Sequence, residues 1–191
     1  MRAAPSVILF TSLSGAGFGL LAAAGLGLAS GPKAWIFGYA LAVAGLIASS
    51  FHLAHPLRGR FAFRAWRTSW LAREAWGAMA ALSVLMPPTA SVLAGGPPLR
   101  FLGVLGAGLC LATVFFTAMI YASLRAVPRW HHPTTPLIYL TCAATGGFRP
   151  ARAEELCPPR GCPCLAAAWG AALRFVATRG FVSIGAVLLP A

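Results

Sequence analysis

At 191 residues the chain is 59% hydrophobic and only 9% charged, against about 25% charged residues in soluble domains, which excludes an ordinary soluble fold. Its formal net charge of +12 does not point to nucleic acid, because the basic residues sit in short blocks between apolar runs, where membrane-orientation charges belong. Uncharged runs from Ala3 to Pro32, Ala34 to Leu57, Ala75 to Leu99 and Phe101 to Leu124 reach the roughly 20 residues that cross a bilayer. The chain therefore reads as an all-α, polytopic transmembrane helix bundle.

Residues 1–32 carry a basic start and small residues near the end, as an export signal does. The uncharged run, however, is far longer than the roughly 7–15 residues of an export core. A retained first span is predicted near 6–29. Within it Gly15 and Gly19 form a small-xxx-small pair, with Gly17, Gly25 and Gly27 nearby; such residues let backbones approach closely in lipid. The second span is predicted over 35–54, with Trp35 and Tyr39 as interface anchors and Pro56 marking its end.

Residues 55–73 carry Arg58, Arg60, Arg64, Arg67 and Arg73, interleaved with Phe61, Phe63, Trp66 and Trp70. Phe63, Trp66 and Trp70 fall at helical spacing, which fits a short amphipathic helix in the headgroup layer or a plain positive-inside loop. The third span is predicted over 74–93, kinked or shortened by Pro87-Pro88, and Gly95-Gly96-Pro97-Pro98 is a turn. The fourth, over 101–124, is the cleanest. Arg125, Arg129, Trp130, His131 and His132 then make a second basic and aromatic border.

A fifth apolar run covers 136–147 and is too short to cross alone. From Phe148 the composition turns to Arg, Pro, Cys and Glu. The expected organisation is a membrane anchor domain over 1–147, with four spans and an incomplete fifth, and an atypical tail over 148–191. Cys157, Cys162 and Cys164 in that tail lack the spacing of a zinc or haem-c site, and Cys110 and Cys142 lie in apolar runs, so no metal and no redox compartment is read from them. Eight Lys and Arg fall on the side of the amino terminus and two, Lys33 and Arg100, on the other. By the positive-inside rule the amino terminus, the arginine loop and all four histidines face the cytoplasm.

Glu74 is the only acidic residue before position 154. It opens the third span on the side where His52 and His55 close the second, the two histidines sharing one helix face. Ionisable groups at a membrane edge are candidates for substrate or proton paths. Oxidising a quinol needs such groups: the ring arrives from lipid, a histidine accepts one proton and a carboxylate accepts or relays the other. Phe51, Trp70 or Trp76 would flank the ring. The competing chemistry is a b-type haem held by His52 or His55 with His131 or His132; all four lie near one interface, and the loop-like border around His131 favours a solvated pair, so no haem is expected.

Several short motifs, in order, resemble the membrane anchor subunit of bacterial dimethyl sulfoxide reductase. They are Ser50-Phe51-His52-Leu53, Pro56-Leu57-Arg58, Arg67-Thr68-Ser69-Trp70-Leu71-Ala72-Arg73-Glu74, Met119-Ile120-Tyr121-Ala122 and Val127-Pro128-Arg129-Trp130, and the likeness covers roughly 5–147. The resemblance implies a haem-free subunit of the bacterial cytoplasmic membrane that oxidises menaquinol. Electrons pass to a four-cluster ferredoxin-like iron–sulfur subunit and on to a molybdopterin subunit that reduces S- or N-oxides in anaerobic respiration. The anchor itself reduces no oxide. It also implies quinol-site roles for His52 and Glu74, with His55 and Arg73 as further candidates; Arg58, Arg60, Arg64 and Arg67 are candidates for partner docking. The alternative is a tether that holds soluble subunits without a competent quinone site. Family members have about eight spans, so the change at Phe148 is expected to mark a frameshift or truncation.

Overall fold

The computed structural model describes residues 5–29, 31–50, 66–123 and 134–156. They form five helices: α1 (Pro5–Gly25), α2 (Pro32–Ser50), α3 (Trp70–Leu93), α4 (Arg100–Ala122) and α5 (Thr135–Leu156). No strand occurs among the described residues. In an apolar medium a helix satisfies its own backbone polar groups, and long runs with little charge leave the chain no other choice.

The helix ends follow local chemistry. Ser69 stands in extended conformation as the N-cap of α3, and its hydroxyl accepts from the Ala72 amide at 3.5 Å. This cap interrupts the helical spacing of Trp66 and Trp70, so the two tryptophans do not share a helix. It also starts α3 one turn before the expected Glu74. At the other end Gly95 takes φ 74°, with Gly96 N–H bonded to Ser91 O and Gly95 N–H to Val92 O. Gly27 ends α1 the same way, at φ 78°, with Leu28 N–H on Ala23 O and Gly27 N–H on Ala24 O. Both are Schellman closures, which need a left-handed residue that glycine adopts without strain.

Pro87 and Pro88 lie inside α3, which continues to Leu93. They remove the amide donors for the carbonyls of Ser83 and Val84. Hydroxyls serve the carbonyls on either side: Tyr39 donates from α2 to Leu82 O at 2.7 Å, and Thr89 donates to Leu85 O at 2.6 Å. The helix runs through the proline pair to Leu93 instead of being shortened by it.

Among the described residues three helices are long and apolar enough to cross a membrane, α2 over Pro32–Ser49, α3 and α4. The expectation of four spans is met for these three. α1 runs 21 residues over Pro5–Gly25, with Phe10–Gly25 an apolar helix, and the chain turns at Gly27 instead of running on to Ala29. α5 crosses the compositional boundary at Phe148 without a break and ends at Leu156; it is not among the apolar spans. Residues 157–191 lie outside the described residues.

α1 is central. It packs against α2, α4 and α5, while α3 packs against α4 and only lightly against α2. Its apolar residues face every direction, and Phe18, Leu20, Leu21, Ala22 and Ala23 are all buried, as expected of a helix that is hydrophobic all round. Its glycines set the spacing to each neighbour. A Cβ at Gly17 would strike the Ala42 backbone of α2, one at Gly19 the Ala143 carbonyl of α5, and one at Gly25 the Gly103 carbonyl of α4. Large apolar side chains on the outer faces, including Ile36, Ile47, Met79, Met86, Phe101 and Val104, are exposed and present a surface suited to lipid.

Gly17→Val is expected to cost about 1–3 kcal/mol by overpacking, while Gly108→Ala, where no atom lies within 4 Å of the added carbon, should change stability by less than about 0.5 kcal/mol. Denaturant unfolding of the purified chain in mixed micelles measures both.

Candidate functional site

Glu74 sits in the second turn of α3, 5% exposed, turned inward toward α4. Its neighbours on the same helix face, Ala78, Ala81 and Leu85, are buried too, so the acid belongs to the apolar seam between helices. A carboxyl in such a place needs hydrogen bonds or a paired charge. Thr117 on α4 supplies one: its hydroxyl donates to Glu74 Oε1 at 2.5 Å, and the same oxygen lies 3.0 Å from the Thr113 carbonyl oxygen one turn back. Tyr121, one turn further along α4, stacks on Tyr139 of α5 with ring centres 5.6 Å apart and planes at 19°. Both phenols are buried and interact electrostatically with the Glu74 carboxyl.

The adjoining face of α3 is different. A groove of about 700 Å³ is lined by Trp66, Arg67, Arg73, Trp76, Gly77 and Phe116, among others. Arg73 shapes its rim. Its Nε donates to Trp66 O at 3.0 Å, its Nη2 donates to Arg67 O at 2.7 Å, and the guanidinium lies 4.3 Å from the centre of the Trp70 ring. Trp70 in turn meets Phe116 at 6.3 Å. Arg67 lies over the Trp66 ring at 5.5 Å. A guanidinium suits this place because its planar fork bonds two carbonyls while its face stacks on an indole.

Gly77 separates the groove from the threonine row. A Cβ there would come 2.9 Å from Thr113 Oγ1 and 3.3 Å from the Phe116 ring, so only the missing side chain leaves that wall thin. The structure therefore brings Arg67, Arg73 and Trp76 together at one groove. Glu74 does not line it; the acid, one residue from Arg73 in sequence, is turned to the adjoining face, toward Thr117 of α4.

Of the other residues expected in a site, His52, His55, Phe51, Arg58, Arg60 and Arg64 lie outside the described residues. So do His131 and His132, on which a haem reading would depend. Among the described residues no group of three His, Cys, Asp or Glu side chains is placed to hold a metal. Three residues that touch or face the carboxyl, Thr117, Tyr121 and Tyr139, were not singled out for chemistry by sequence reasoning. The available signal was Thr113 and Thr117, two hydroxyls four apart in an otherwise apolar span.

The sequence matches the family model of the DMSO reductase anchor subunit (DmsC) over residues 8–154. The chain belongs to this anchor-subunit family. It is similar to a sulfite dehydrogenase subunit of Allochromatium vinosum, with 35% identity over 174 residues, covering 78% of this chain and 54% of that protein. The anchor thus spans about half the length of the curated relative it matches. No solved structure matches the chain. The family match includes all five helices except the first residues of α1 and the last of α5, so the carboxyl pair and the groove both lie within it. A membrane protein of the anchor family is what the apolar helices and the match together describe.

Arg73→Ala in this anchor should loosen the turn before α3. Loss of the two carbonyl bonds at an exposed site costs about 1 kcal/mol, or roughly fivefold in local opening. Mass spectrometry of tryptic fragments should show the Arg67–Thr68 bond cut correspondingly faster, with Arg73→Lys intermediate.

Proposed function

We propose that this chain is the membrane anchor of a molybdoenzyme complex of the bacterial cytoplasmic membrane and that it exchanges electrons with a quinone dissolved in the bilayer. In the direction read from the sequence, menaquinol is oxidised to menaquinone, two electrons leave to a four-cluster iron–sulfur subunit, and a molybdopterin subunit uses them to reduce dimethyl sulfoxide or a related S- or N-oxide. The two protons released go to groups of the anchor. The observation that carries this reading is the carboxyl of Glu74, buried in a membrane helix and bonded by Thr117. An acid in that position is costly, and ionisable groups inside membrane segments belong to proton or substrate paths by default.

The groove supports the same reading. It is lined by Gly77 and Phe116 and flanked by Trp76 and two guanidinium groups. A flat ring enters such a slot edge-on, and the arginines stand where the ring oxygens carry negative charge. Glu74 lies on the neighbouring face of the same helix, while His52 follows the described end of α2 by two positions and is the second acceptor. Arg58, Arg60, Arg64 and Arg67 serve the docking of the iron–sulfur subunit, with the amino terminus on the cytoplasmic side.

The name of the Allochromatium vinosum relative favours a second reading, in which the same site runs in reverse. A dehydrogenase subunit delivers electrons to the membrane, so the quinone would be reduced and Glu74 would donate its proton. The residues and their placement serve both directions.

Glu74→Gln and His52→Ala, each in the assembled complex, should lower the rate of quinol oxidation or quinone reduction about 10²-fold, the scale of losing a general base, with the amount of complex unchanged. Rates equal to wild type with normal assembly would leave a tether. The reduced spectrum of the same complex is expected to lack a Soret band; a Soret band lost on replacing His52 or His131 would establish the b-type cytochrome instead.

A further inference from the structure

We infer that Thr117 is a positioning residue for the Glu74 carboxyl, its hydroxyl turning between two acceptors so that the buried acid keeps a hydrogen bond in both protonation states. The inference rests on the reading of Glu74 as a proton acceptor and extends it to the partner that makes acceptance possible in an apolar seam.

The geometry is specific. Thr117 Oγ1 stands 2.5 Å from Glu74 Oε1 and 3.0 Å from the carbonyl oxygen of Thr113. A hydroxyl has one proton to give and two lone pairs, so it cannot fully serve both oxygens as a donor. When Glu74 is ionised, the hydroxyl donates to the carboxylate in a charge-assisted bond, for which 2.5 Å is a usual length. When Glu74 is protonated, its own O–H donates to Oγ1, and the hydroxyl rotates to donate to Thr113 O. That second bond is the ordinary back-bond of a threonine to the carbonyl four residues earlier, as Thr113 itself makes to Leu109 O at 2.8 Å. In each state Thr117 Oγ1 and Glu74 Oε1 stay hydrogen-bonded to one another, and the exchange needs only rotation about the Cβ–Oγ1 bond.

The surroundings leave this task to Thr117. The ionisable groups facing Glu74 from the neighbouring helices are the phenols of Tyr121 on α4 and Tyr139 on α5. On its own helix, Arg73 is turned toward the carbonyls of Trp66 and Arg67. On α2, Tyr39 is bonded to Leu82 O, and Lys33 lies at the far end of that helix. Among the described residues no cation is paired with the carboxyl, and the hydrogen bond from Thr117 is the one that meets its charge. A proton taken from the substrate hydroxyl can then be held on Glu74 and given up again without moving a helix.

The test uses Thr117→Val, which keeps the shape and removes the hydroxyl, and Thr117→Ser, which keeps the hydroxyl. The full chain holds three acidic residues, Glu74, Glu154 and Glu155, so the infrared bands of the Glu74 carboxyl can be assigned by their loss in Glu74→Gln. In vesicles, the Glu74 bands should shift in Thr117→Val and return to the wild-type position in Thr117→Ser. In the assembled complex, kcat for quinol should fall about tenfold in Thr117→Val, with KM held within about twofold and activity restored by serine. Bands that stay in place in Thr117→Val, or that move equally in Thr117→Ser, overturn the inference whatever the turnover. Bands that move as expected while Glu74→Gln turns over at the wild-type rate uphold the Thr117 pairing and overturn the proton-acceptor reading alone.

Discussion

A helix that touches three others has little room for side chains on any face, and α1 meets this constraint with glycine where the backbones come closest. Gly17, Gly19 and Gly25 each point at the main chain of a different neighbour. In water the hydrophobic effect would hold such a bundle together; among lipid tails it does not, and close packing of small residues takes its place. The arrangement is reciprocal, since Gly45 on α2, Gly103 on α4 and Gly147 on α5 approach α1 in the same manner. Any one of these positions fixes a distance, and together they fix where α4 and α5 stand.

That placement determines what can happen at Glu74. With α1 occupied by α2, α4 and α5, α3 packs chiefly on α4. One face of α3 meets Thr117 and the tyrosine pair behind it, and the next face stays open as a groove. A buried acid and an accessible slot therefore share one helix turn without sharing a cavity. The glycine at position 77 is what keeps the wall between them one backbone thick.

Much of the bundle was legible before any coordinates. Long uncharged runs in an apolar chain permit only helices, and the prolines and glycines near residues 31 and 95 mark the turns. Glu74 stood out because nothing else acidic occurs for most of the chain. The helix ends were less legible, for reasons that reside in single residues. Ser69 starts α3 a turn early because its hydroxyl caps an amide, which an apolar pattern does not reveal. Gly27 ends α1 before the apolar run is over. Pro87 and Pro88 read as breakers, but hydroxyls from Tyr39 and Thr89 bond the carbonyls around them, and the first of these comes from another helix. Thr117 could not be paired with Glu74 from spacing, because the two are brought together by packing across 43 positions. The direction in which Glu74 faces, away from the arginines beside it, is likewise set by α4 and not by its own neighbours in sequence.

The two Schellman closures carry a consequence for the shape of the molecule at its two membrane borders. Both the α1–α2 and the α3–α4 connections reverse within a few residues on the same side. The α2–α3 and α4–α5 connections, on the other side, are several times and twice as long respectively. Neither clipped hairpin, residues 26–31 or 94–99, contains an arginine, a histidine or a tryptophan. The cations beside them are carried by helices instead: Lys33 and Arg100 in the first turns of α2 and α4, and Arg149 and Arg152 in the last turns of α5, which runs back toward the same end.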